Sequence, residues 1–127
     1  MTLNNPQRGR LGPHELKEAE LMRLGQKEVA FFYADYPEEY LKEIRKNIEN
    51  GSFESLQLED NNGLIVWLPG AEQKALRLAE LVRFGRQHGY VESAEREIGQ
   101  ILGYSEVDID YYIEHVRSHF QATSITL

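Results

Sequence analysis

Apolar residues recur every three or four positions through most of this chain, and they fall into runs or alternation in only three short places. From His14, the segment HELKEAELMRL brings Leu16, Ala19, Leu21, Met22 and Leu24 within helical reach, and Gly25 supplies a stop. EVAFFYA is rich in β-branched and aromatic residues and lies between Gly25 and Pro37. That predicts a strand over 29–34, with a continuing helix as the competing reading. Asp35-Tyr36-Pro37-Glu38 reads as a helix start, because proline suits a first turn and Glu38 and Glu39 complement its positive end. Tyr40, Leu41, Ile44 and Ile48 form the stripe of that helix, and Asn50-Gly51 ends it. Residues 53–59 and 64–68 flank Asp60-Asn61-Asn62-Gly63, whose asparagines and glycine supply positive φ, so this stretch predicts a β-hairpin closed by Pro69-Gly70.

Everything beyond the hairpin has helical periodicity. Residues 71–87 place Ala75, Leu76, Leu78, Ala79, Leu81, Val82 and Phe84 at helical spacing, and His88-Gly89 breaks the pattern. Residues 93–102 turn Ala94, Ile98, Ile101 and Leu102 inward. Ser105 is the expected N-cap of a last helix, with Glu106 and Asp108 in its first turn and Ile109, Tyr112, Ile113, Val116 and Phe120 as its stripe. The predicted fold class is α+β: a small sheet of about three strands, including the hairpin, packed with five helices. Residues 1–13, with Asn4, Asn5, Pro6, Gly9, Gly12 and Pro13, read as a disordered arm, 14–120 as a single domain and 121–127 as a flexible tail.

Within REIGQILGYSEVDIDYYIEHV, Gly99, Gly103 and Ile109 have the spacing of a helix-turn-helix. The first helix needs a small residue where the second crosses it, the turn needs a glycine, and the second helix packs back through an apolar side chain. In a DNA reader the second helix enters the major groove. Here it carries Glu106, Asp108, Asp110 and Glu114, which would present carboxylates to phosphates. The shape is therefore predicted, and nucleic acid is not the expected partner for it.

Composition narrows the chemistry. A chain of 127 residues without cysteine has no disulfide, no thiolate zinc site and no cysteine nucleophile, and suits a cytoplasmic setting. Neither a signal peptide nor a membrane span is expected. The formal charge is −7, and 92–119 alone carries five net negative charges, from Glu92, Glu95, Glu97, Glu106, Asp108, Asp110 and Glu114 against Arg96 and Arg117. Such an excess favours a basic protein as partner. Tyr111 lies about 100° from the apolar stripe and is expected to be exposed among these carboxylates, as an interface anchor within a polar rim. The helix over 71–87 is basic, with Lys74, Arg77, Arg83 and Arg86 against Glu72 and Glu80, and reads as a solvated face with local ion pairs.

His115 and His119, one helical turn apart, are weak metal candidates, since no third ligand accompanies them. His14 and His88 flank helix ends and carry no motif. P-loop, nucleophile-elbow and H-E-x-x-H patterns are absent, so no catalytic residue, metal or cofactor is assigned.

ELM-x-x-G-x-K-x-V-A-F-F (Glu20 to Phe32), LPG (Leu68 to Gly70) and ILGYS (Ile101 to Ser105) resemble the motifs of a family of small uncharacterised bacterial proteins. The resemblance covers most of 15–115 and implies one domain and an α+β order of elements, with no activity attached. The chain departs from the family after LPG, where Ala71-Glu72-Gln73 stand in place of a tryptophan-containing run. The expected function is that of a small acidic, non-catalytic binding protein of the inhibitor, immunity or adaptor type. Its expected contact residues are Glu106, Asp108, Asp110, Tyr111 and Glu114, and a homodimer is compatible with this reading. The alternative is a helix-turn-helix transcriptional regulator, and the third class is an enzyme without a recognisable motif.

Overall fold

A computed structural model describes residues 12–59 and 63–125, with side chains through residue 118. Five helices and three strands follow in the order α1 (Glu18–Arg23), β1 (Val29–Phe32), α2 (Glu38–Glu49), β2 (Glu54–Gln57), β3 (Leu64–Trp67), α3 (Glu72–His88), α4 (Glu92–Ile101) and α5 (Glu106–Ile125). The sheet is antiparallel in the order β1-β3-β2, so the second arm of the hairpin is the central strand. Val29 and Glu54 both stand opposite Trp67, and Phe32 and Gln57 both stand opposite Leu64. Trp67 Nε1 donates to Glu54 Oε1 across that pair at 2.7 Å, which satisfies an otherwise buried indole N–H.

The apolar run of β3 has a direct cause: both of its faces are covered. Val29, Phe31, Ile65 and Trp67 pack against Ala75, Leu78 and Ala79 of α3 and Ile98 of α4. Ala30, Phe32 and Val66 face the other way, onto Met22 of α1 and Leu41 and Ile44 of α2. The result is a three-layer sandwich, helix–sheet–helix, and α5 extends it by packing on α4.

The helix-turn-helix spacing produces the contact it predicts. An added Cβ at Gly99 would stand 2.7 Å from Ile109 Cγ1, and Gly103 has φ of 84°. The N–H groups of Gly103 and Tyr104 donate back to the carbonyls of Gln100 and Gly99, a paired closure of the α4 C-terminus that requires the left-handed residue between them. Ser105 Oγ then accepts the amide of Asp108 at 3.1 Å and caps α5.

Several sequence expectations are corrected. The first helix starts at Glu18, not at His14, because Leu16 takes φ of 66° and its N–H donates to Tyr36 Oη at 3.0 Å. The strand over 29–34 ends at Phe32, and a turn follows in which the Tyr36 amide bonds the Tyr33 carbonyl. Leu16, Leu24, Tyr40, Leu76, Phe84 and Tyr112, expected on apolar stripes, are exposed. α5 runs to Ile125, so the tail predicted from residue 121 is helical over 121–125. Arg8, Arg10, the hairpin residues 60–62 and the rest of the predicted arm before Gly12 lie outside the described residues.

Candidate partner-binding surface

Ile109 and Ile113 are buried against α4, and this fixes the rotation of α5. Glu106, Asp110 and Glu114 then follow at successive turns along one exposed row, with side chains 65%, 64% and 71% accessible. Arg96 sits between the first two, 2.7 Å from Asp110 and 3.6 Å from Glu106. Arg117 bridges Glu92 at 2.5 Å and Glu114 at 3.6 Å. Each cation serves two carboxylates, so the local pairing leaves a negative surplus on the face. Val107 stands 44% exposed next to this row.

Two of the predicted contact residues are placed differently from expectation. Asp108 is only 9% exposed, because it lies where α5 begins, against the turn that carries Tyr104, so it is not at the centre of an open surface. Tyr111 is half-buried, whereas Tyr112 is 39% exposed and donates its hydroxyl to Glu95 at 3.2 Å. Burial and the Glu95 carboxylate raise the Tyr112 phenol above its ordinary range, so it stays a neutral donor. The order of exposure predicted for these neighbouring tyrosines is therefore reversed. Glu106, Asp110 and Glu114 are where the sequence put them.

Lys74, Arg77 and Arg83 of α3 engage carboxylates outside the helix. Lys74 pairs with Glu28, Arg77 makes a two-point bond to Glu97 at 2.8 and 2.9 Å, and Arg83 does the same with Glu59 at 3.0 and 2.6 Å. Their hydrogen bonds hold Glu97 and Glu59 below the usual carboxylate range. These exposed pairs fasten α3 to its neighbours rather than forming a phosphate-binding stripe.

Sequence reasoning missed Lys27. Its side chain is 2% exposed, and its Nζ donates to the Leu102 carbonyl at 2.5 Å and lies 2.9 Å from His14 Nδ1. It also stands 5.0 Å from the centroid of Tyr104, whose ring meets His14 edge-on at 4.7 Å. Burial pushes the Lys27 ammonium down to about 8, against the pull of Glu18, and pushes the Tyr104 phenol up to about 12. Lys27 belongs to the ELM-x-x-G-x-K segment and Leu102 and Tyr104 to ILGYS, so two motifs far apart in the chain meet at one clamp. The available signal was a lysine placed two residues before a largely buried strand, which by itself does not distinguish a clamp from a solvated cation.

His115 is exposed, and the side chain of His119 lies outside the described residues. No group of three or more metal-ligating side chains occurs among the described residues. Added zinc is expected to leave the melting temperature within about 1 °C of its metal-free value, since binding to the native state alone would raise it; a rise abolished by His115→Ala would reinstate the histidine pair as a site. No helix among the described residues is long and apolar enough to cross a membrane. No protein-family model, curated protein or solved structure matches the chain.

Proposed function

We propose that this chain is a small acidic binding protein that works by protein–protein contact, of the inhibitor, immunity or adaptor type, and that its partner is a basic protein. The observation that carries this reading is the exposed row Glu106, Asp110 and Glu114 on α5, beside the exposed Val107 and half-buried Tyr111. A small apolar anchor rimmed by like charge suits a cationic surface, because charge complementarity speeds encounter while the desolvated anchor slows release. Asp108 sits at the inner edge of this surface. Under this reading the protein is cytoplasmic and non-catalytic, with no cofactor. Duplex DNA is not its partner, since Arg117 is the one lysine or arginine of α5 and it is held by Glu92.

The test is kinetic, on a partner recovered from the native host and purified. Charge reversal at Asp110 and Glu114 should slow association roughly tenfold and flatten its salt dependence. Tyr111→Ala combined with Val107→Ser should speed dissociation by roughly tenfold or more. Unchanged association and dissociation in both variants would place the interface elsewhere on the molecule.

A further inference from the structure

Lys27 and His14 pose a question of proton placement that the partner surface does not use. An ammonium can only donate, so at the 2.9 Å contact His14 Nδ1 is the acceptor and the ring proton sits on Nε2. The Leu102 carbonyl and the Tyr104 ring also lie against the pair, Glu18 acts on Lys27 through space, and Glu18, Tyr33, Asp108 and Glu15 act on Tyr104. Three parts of the chain converge here: the turn over 12–17, the lead into β1, and the turn between α4 and α5.

We propose that His14 and Lys27 form a proton-operated latch that ties the N-terminal turn to the turn between α4 and α5 at neutral pH and releases it on acidification. A proton on Nδ1 removes the acceptor and sets a second positive charge 2.9 Å from Nζ. Lys27 has nowhere to go, because it is 2% exposed and bonded to the Leu102 carbonyl. The imidazolium, carried on the partly exposed 12–17 turn, is the mobile partner and moves off the edge of Tyr104. The capping bond to Leu102 persists, so the helix pair stays closed while the 12–17 turn is freed. In the latched state the amides of Glu15 and Lys17 are bonded to the carbonyls of Gly12 and His14.

The latch is tested on the full chain by NMR and amide hydrogen exchange as pH is lowered from about 7.5 to about 4, a range wide enough to follow an imidazole beside an ammonium. The Tyr104 ring signals should shift with the same midpoint as the His14 ring. Protection at Glu15 and Lys17, corrected for intrinsic exchange, should fall by about tenfold per pH unit below that midpoint. Gly103 and Tyr104 amides should keep theirs. His14→Phe preserves the edge contact without a titrating nitrogen and should abolish the response, and Lys27→Met should do the same by removing the competing charge. The latch is overturned by a Tyr104 signal that ignores the His14 titration, by a loss of protection spread over the whole chain, or by variants that respond as the native protein does.

Discussion

Gly99→Val is expected to destabilise the protein by about 2–3 kcal/mol, a loss of roughly 10 °C in Tm for a chain of this size. Even a single Cβ at this position would lie 2.7 Å from Cγ1 and 3.0 Å from Cδ1 of Ile109. Ile109 is 2% exposed, and Cγ1 is held close to its own backbone, so neither side chain nor helix has room to retreat. The clash therefore outweighs the gain of about 1 kcal/mol that replacing a helical glycine usually brings. Gly85 on α3 is the internal control. A Cβ there meets nothing within 4 Å, so Gly85→Ala should raise stability by up to about 1 kcal/mol. Thermal melts of the two variants separate the cases, and a Gly99→Val protein as stable as the native one would remove the close helix crossing.

Stability should increase by roughly 2 kcal/mol as pH rises from about 8 to about 10, because Lys27 is charged in a place that disfavours charge. Its ammonium is lowered to about 8 in the fold, against 10.5 in the unfolded chain. Between those values the unfolded chain holds a proton that the native protein has released, so raising the pH favours the native state. The contribution is complete above 10.5 and is lost as pH falls through 8. The half-buried phenols set the upper limit. Tyr36 and Tyr104 are raised to about 12 from 10.0, so they resist ionisation in the fold, and stability declines once pH passes 10. Denaturant melts across this range should show a maximum near pH 10, and Lys27→Met should flatten the rising limb. A native protein with no rising limb would mean that Lys27 is solvated in solution.

Local order accounts for what was readable in advance. Gly25 and Gly103 end α1 and α4 because a left-handed residue lets the following amides turn back onto the helix, a relation confined to six neighbouring residues. The Gly99, Gly103 and Ile109 spacing was legible for the same reason: its geometry is set within one turn of each helix. The row Glu106, Asp110 and Glu114 was legible once Ile109 and Ile113 fixed the helix rotation. The first helix was misread because Leu16 continues the apolar spacing, while the hydrogen bond its N–H donates to a tyrosine twenty residues away holds it at positive φ.

By itself, then, the sequence determined the order and kind of the elements, the hairpin, the close crossing at Gly99 and the negative charge of α5. These follow from periodicity and from backbone preferences acting over a few residues. Tertiary structure alone decided that β3 is central, that Asp108 and Tyr111 are partly withdrawn while Tyr112 stands out, and that Lys27 is buried. Each of these depends on which distant segment covers a side chain. The clamp makes the point most directly: His14, Lys27 and Leu102 span 88 positions of the chain, and nothing in their spacing brings an amine, an imidazole and a helix-end carbonyl together until both helical layers have closed on the sheet.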